Sequence, residues 1–446
     1  MNEKLESIFM PLAEAIGRNK YLMSIRDGFL VSTPLLIIGS LFLLVGNFPI
    51  EAWTDFIANQ GWAGYIGKPA SATFDIMAIL ATLGIAYAFA GRMNVDKIFG
   101  AATALVSWFT VMPFTIDTVL DTGETLSISG IPFGWVGSKG IFIGIACAFL
   151  SVHIYAWVNS KGWVIKMPEG VPPTVEQSFS ALIPAGVVVF VFFAVNWIFA
   201  LTPYGSAFQF VFEILQAPLL SLGNTLGAMV IAYIFLHFFW FFGVNGGSVV
   251  GAVFNPILQA LAAENASALH AGLPIPNIIS QQFQDLFATF GGCGSTLSLL
   301  IAMILFCKSK RVTELAKLSL VPGIFGINEP IVFGLPIVLN PTILVPFVLV
   351  PTVNIVISYF AMYLGLVPYC NGIQLPWTTP VIISGFLSTN WAGAVLQAIL
   401  LVIGVFIYLP FIKMIDKQYL QEEANAKNQA GDDDDFSLDD VSFDDL

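Results

Sequence analysis

Apolar residues in this 446-residue chain gather into blocks of about 20, separated by short polar stretches. That is the length of a helix that crosses a bilayer, and the short alternating strands of a membrane β-barrel are absent from the pattern. The blocks predict ten spanning helices, at about 27–48, 73–91, 98–116, 140–158, 179–202, 224–243, 246–263, 290–307, 343–366 and 391–412. In the seventh block Gly246, Gly247, Gly251 and Pro256 interrupt the apolar run, so it either spans or dips in and returns. Residues 201–223 hold Tyr204, Phe208, Phe210 and Phe212 with Glu213 as their one charge, which reads as an amphipathic interfacial helix after a turn at Pro203. The expected fold is an all-α integral membrane protein of about ten transmembrane helices, with re-entrant hairpin segments.

Composition agrees with this class. The chain is 57% hydrophobic and 10% charged, with a mean hydropathy of +0.83, whereas soluble domains carry roughly 25% charged residues. The segment before Arg26 has acids and no long apolar core, so it does not read as a cleavable signal. Basic residues sort the loops. Lys4, Arg18, Lys20 and Arg26 precede the first block, and Arg92 and Lys97 follow the second. Lys161 and Lys166 follow the fourth block, while Lys308, Lys310, Arg311 and Lys317 follow the eighth. The loops after odd blocks are poor in Lys and Arg, apart from Lys68 and Lys139. The positive-inside rule then puts both termini in the cytoplasm of a multi-pass protein.

The net charge of −12 belongs mostly to one end. From Lys413 onward there are 11 acids against three lysines, which predicts a disordered acidic tail over 413–446. Residues 1–203 form an N-terminal transmembrane half with few polar groups at mid-membrane. Residues 204–412 form a C-terminal half in which the polar groups concentrate. No internal repeat relates the two.

Candidate chemistry narrows to one region. The four cysteines fall in no metal-ligand pattern, the three histidines are scattered, and no nucleotide-binding motif is present, so no metal or cofactor is expected. Nothing suggests nucleic acid. Between Lys317 and Lys413 the only acid or base is Glu329. A carboxylate in hydrocarbon costs roughly 3 kcal/mol on insertion scales, so it belongs at a polar cavity. Pro322, Gly323, Gly326, Pro330, Gly334, Pro336 and Pro341 surround it, a recipe for broken backbone lining a site. Two further Gly/Pro-broken segments carry Asn245 with Gly246, and Trp377 after Asn371 and Gln374. Amides and carboxylates hydrogen-bond hydroxyls, and an aromatic face stacks on the C–H face of a pyranose. Asn328, Asn245, Gly246 and Trp377 are therefore candidate sugar-binding residues. The bland readings are an asparagine that bonds neighbouring helices and a tryptophan that anchors at the interface.

These residues carry a family resemblance. Phe241–Gly246, FFGVNG, resembles the FFGIHG signature of sugar-transporting IIC components of the bacterial phosphoenolpyruvate-dependent phosphotransferase system, in the lactose/cellobiose/chitobiose branch. INEPIVFGLPIVLNP around Glu329, WVIKMPEGVPPTVEQSFSALIP from Trp163, and Pro376–Thr378 as PWT are similar to further elements of that family, in the same order. The resemblance implies a bacterial cell-membrane homodimer that dimerises through its N-terminal half and binds sugar in its C-terminal half. It also implies a soluble IIB partner bearing a phosphocysteine, fed indirectly by IIA, HPr and enzyme I. No IIB domain is read in these 446 residues, so that partner is expected to be a separate protein.

One departure stands out, because Asn245 occupies the position where the family usually has histidine. An asparagine exchanges hydrogen bonds but does not titrate near neutral pH, so proton chemistry is expected to rest on Glu329. His237, about two helical turns away, is a poor substitute. The expected activity is uptake of a β-linked, cellobiose-like disaccharide whose 6-hydroxyl is phosphorylated by IIB, which makes the chain the membrane component of a protein-phosphocysteine:sugar phosphotransferase. Glu329 is the expected base. Lys308, Lys310 and Arg311 are candidate docking groups for the phosphoryl donor, with the positive-inside bias as their bland reading. The rival class is an ion-coupled secondary sugar transporter with Glu329 as ion carrier. A weaker third reading is a sugar sensor that no longer transports.

Overall fold

Helix dominates the computed structural model, which describes residues 19–48, 50–119, 125–168, 170–241, 245–335, 337 and 340–434. Among these, seven helices are long and apolar enough to cross a bilayer: Lys20–Gly46, Ala63–Arg92, Ser138–Ser160, Pro173–Ala200, Gln281–Phe306, Thr342–Tyr363 and Trp391–Asn425. An eighth crossing counts if Ala207–Gly223 and Leu226–Trp240, bent by 77° at their junction, form one broken span.

Two of the ten expected spans fall outside that set. Lys97–Thr110 is a helix of 14 residues, short of a full crossing. Beyond Pro113 the chain leaves the helix, and Thr115–Val119 pairs antiparallel with Thr125–Ser129 in register Ile116↔Ile128. Thr, Ile and Val suit a pleated strand better than a helix, and this hairpin is absent from the sequence-based expectation. The seventh block is one unbroken helix, Gly246–His270, of 25 residues with Pro256 inside it.

Small residues let the first helices pack closely. A Cβ at Gly28 would lie 2.3 Å from Ile85 Cγ1, and one at Gly84 would lie 2.6 Å from the Gly28 carbonyl oxygen. Without lipid-excluded hydrophobic gain, such close backbone approach is the main source of helix association in a bilayer. Met77, Ile85, Phe89 and Trp108 fill the core there. The stretch expected to lie at the interface is helical from Ala207 to Gly223, with a wide turn at Phe212–Gln216. Phe208 and Gln216 face inward, whereas Ile214, Leu215 and Leu222 are exposed.

The second half is built around two broken elements. Gln281–Phe306 loses its helix at Thr289–Ser295, where Gly291, Gly292 and Gly294 take φ of 72°, 91° and 76°. Lys310–Ile324 runs back, turns at Gly326 with φ 84°, and continues as the short helix Glu329–Gly334. Beyond the helix Pro341–Tyr363, a stretch without regular structure leads through Gln374 to Trp377. Its backbone is tied to the first helix by the Gln374 N–H, which donates to Ser40 Oγ at 2.7 Å.

Lys413 does not end the last helix, contrary to the expected start of the tail. Trp391–Asp434 is continuous, because Asp416 is buried against the chain at Lys308 and Ser309 instead of facing water. Residues 435–446, the rest of that expected tail, lie outside the described residues.

Candidate functional site

The two broken elements meet at an asparagine. Asn328 is the N-cap of Glu329–Gly334, 7% exposed, and its Nδ2 donates to the Cys293 carbonyl at 2.9 Å. Gly292 lies beneath it: a Cβ there would fall 2.6 Å from Asn328 Cγ, at a positive φ that already favours glycine. Glu329 follows at the first helical position with Pro330 after it, the proline tolerated there because that N–H has no intrahelical partner. The carboxylate thus starts a helix at its positive end. It is exposed, has no hydrogen-bond or ion-pair partner among the described residues, and lies close enough to the Cys293 thiol to act on it electrostatically.

Gly326 brings the third element in. Its bare backbone faces the indole of Trp377, 3.2 Å from where a Cβ would sit to ring atom Cε3. The indole is 62% exposed. Asp285, Thr289, Gly292, Gly326, Trp377 and Thr379 line one cleft of about 110 Å³. The Trp377 indole and the Asp285 carboxylate in this cleft, with Asn328 and Glu329 two and three residues after its Gly326, can stack on a sugar ring and bond its hydroxyls.

Asp285 is not among the residues that the sequence expectation singles out. It sits in the widened turn Gln284–Ala288, and its Oδ1 accepts from Gln281 Nε2 at 3.0 Å. The signal was present: Asp285 is the only acid or base between Glu264 and Lys308, apart from His270, and is followed by the run Gly291-Gly292-Cys293-Gly294. That is the same lone-charge, broken-backbone pattern that marks Glu329.

Asn245 and Gly246 stand apart from this cleft. Asn245 is exposed just before the Gly246–His270 helix, and residues 242–244 of its motif lie outside the described residues. Gly246 is buried, and a Cβ on it would overlap the Leu236 carbonyl oxygen at 1.8 Å, so its observed part is close packing of two helices. His237 is fully buried, with Nδ1 2.7 Å from the Tyr233 carbonyl and its ring edge-on to Phe347. Lys308 and Lys310 are exposed at the start of Lys310–Ile324. Arg311 is engaged, with its guanidinium over the Tyr419 ring at 4.3 Å and 4.0 Å from Glu422. Among the described residues no three His, Cys, Asp or Glu converge as a metal site.

A multi-pass helical membrane protein whose polar cleft lies where discontinuous helices meet is of the transporter class. The chain belongs to the phosphotransferase system EIIC family, whose model matches residues 26–351. It is 40% identical over 430 residues to the lichenan permease IIC component of Bacillus subtilis (strain 168), covering 95% of each chain. It is 41% identical over 428 residues to the cellobiose-specific EIIC component of Geobacillus stearothermophilus, covering 94% of this chain and 95% of that one. Among solved structures, the transporter ChbC, the IIC component from the N,N'-diacetylchitobiose-specific phosphotransferase system, superposes with a TM-score of 0.91 at 41% identity, covering 94% of this chain and 99% of the other.

Proposed function

We propose that this chain takes up a β-linked, cellobiose-like disaccharide and presents its 6-hydroxyl to the phosphocysteine of a separate IIB protein. The observation that carries the reading is Glu329: an exposed, unpaired carboxylate at a helix start, beside Asn328 and across Gly326 from Trp377. Relatives named for lichenan and cellobiose, similar over nearly the whole chain, support the substrate class. Trp377 stacks on a pyranose, Asn328 and Asp285 bond its hydroxyls, and Glu329 reaches the 6-hydroxyl. Asn245, outside the cleft, meets the part of the sugar that extends beyond it, while Gly246 keeps its helix packed against Leu236.

The transfer is a displacement at phosphorus. The sugar oxygen forms the new P–O bond, the P–S bond breaks, cysteine leaves as thiolate, and the hydroxyl proton passes to the Glu329 carboxylate. Charge on the product then prevents its return. Lys308 and Lys310 attract the IIB protein at the cytoplasmic mouth, with Arg311 occupied by the last helix. Both termini are on that side, residues 1–203 form the dimer contact and residues 204–412 carry the sugar.

Membrane vesicles holding the chain, supplied with phosphorylated IIB and cellobiose, should yield the 6-phosphodisaccharide. Unmodified sugar accumulating under an ion gradient alone would replace this reading with ion-coupled transport. Sugar binding with neither outcome would leave a sensor.

A further inference from the structure

The last helix grips the start of the helix that leads to Glu329, and it does so through main-chain groups. Asp416, 6% exposed, accepts the Lys308 N–H on both carboxylate oxygens at 3.1 and 3.0 Å, and the Ser309 N–H at 2.8 Å. Two turns further on, Glu423 accepts the Arg311 N–H at 3.2 Å. Tyr419, between them on the same face, carries the Arg311 guanidinium. Helix starts have N–H groups with no intrahelical partner, and carboxylates bind them with charge-assisted bonds. A grip on the backbone holds the axial position of Lys310–Ile324 whatever side chains it displays.

The far end of that helix is equally constrained. A Cβ at Gly323 would lie 2.5 Å from Leu300, and the Gly323 carbonyl faces Gly291 of the other broken element. Three residues later come Gly326 and then Asn328–Glu329. Fifteen residues of helix make a rod about 22 Å long at a rise of 1.5 Å per residue, so a displacement at Ser309 is carried to the cleft.

We propose that Asp416 is a positioning residue for the transfer step: its carboxylate fixes the height of Lys310–Ile324 and thereby the place of the Glu329 carboxylate, while Asn328 stays tied to the Cys293 carbonyl. The proposal rests on the reading of Glu329 as the base. An offset of about 1 Å at a reacting group can cost on the order of a hundredfold in rate, whereas loss of a cap alone lowers stability and leaves the kinetics of the folded fraction alone.

Asp416→Glu is the discriminating variant, since it keeps the charge and both acceptors and lengthens the arm by one carbon. In vesicles with phosphorylated IIB and cellobiose, kcat should fall about tenfold. Equilibrium binding of cellobiose and the KM for IIB should each stay within about twofold. Asp416→Asn should fall further in kcat, because the amide loses the charge that strengthens these bonds and turns an NH2 donor toward the Lys308 N–H where Oδ2 accepted it. Where neither variant folds, Glu423→Gln at the more exposed contact serves, with an expected loss in kcat of about threefold. Unchanged kcat in the folded variants overturns the proposal. So does a loss confined to the KM for IIB, which would make Asp416 a docking residue, or a parallel loss of sugar affinity. A wild-type chain that makes no sugar phosphate would instead remove the reading of Glu329.

Discussion

The Asn328 side-chain amide donates to the Cys293 carbonyl at 2.9 Å, and this bond ties the two broken elements of the second half together beside the Gly323–Gly291 packing. Removing the donor leaves a part-buried carbonyl without its partner, at about 1–3 kcal/mol. Asn328→Ala should therefore lower both thermal stability in detergent and cellobiose affinity. Affinity retained at wild-type stability would show that the two elements are held elsewhere.

Glu329→Gln preserves shape and removes the proton acceptor. Turnover with phosphorylated IIB should fall at least about a hundredfold, the usual contribution of a positioned base. Sugar binding should persist, because the amide still bonds hydroxyls. Assays of 6-phosphodisaccharide formation and of equilibrium binding on the same preparation check both halves of the claim, and wild-type turnover would reject Glu329 as the base.

Trp377→Ala should weaken sugar binding by about 0.5–1.5 kcal/mol from lost ring contact, and Trp377→Phe by less. The exposed indole serves no core, so the melting temperature should not move. A drop in stability comparable to that of a core aromatic would make Trp377 a packing residue.

Gly246→Ala should act on folding instead of on sugar. The new methyl meets the Leu236 carbonyl oxygen, and backbone cannot yield as a flexible side chain does; overpacking of this kind costs typically 1–3 kcal/mol or more, about what a marginal fold can bear. Poor yield of monodisperse protein is the expected result, and normal yield with weak binding would return Gly246 to the sugar contacts.

Asn245→His should be tolerated, since the side chain at 245 is exposed. It should introduce a titration into the pH–rate profile near neutral pH, where the imidazole changes charge. A profile identical to wild type would place residue 245 away from the reacting atoms.

Part of the candidate site is legible in the sequence because hydrocarbon is intolerant of charge. Glu329 stands out from almost a hundred uncharged neighbours, and the glycines and prolines around it announce broken backbone. Asp285 carries the same mark, but the apolar run from Phe290 to Phe306 reads as one helix across Gly291–Gly294, so the broken backbone beside Asp285 does not show in the sequence. Contacts distant in sequence were not legible. Nothing in Asp416 or in Lys308 shows that one receives the backbone of the other 108 residues away, and the charge-rich composition after Lys413 suggested solvent instead. The Thr115–Val119 hairpin was lost for a related reason: a few β-branched residues following an apolar helix look like its continuation until Pro113 is weighed.

The hydroxyl of Ser40 has a consequence for movement. It receives the backbone N–H of Gln374, three residues before the indole that faces the cleft, and Ser40 belongs to the first helix. Cargo that changes sides of the bilayer by shifting this loop must release that bond in every cycle and find the freed N–H another acceptor, since a bare amide in hydrocarbon is costly. Ser40 would then serve as a latch, and a cysteine placed at residue 40 would report, by its reactivity toward a thiol reagent, whether the loop is docked or travelling.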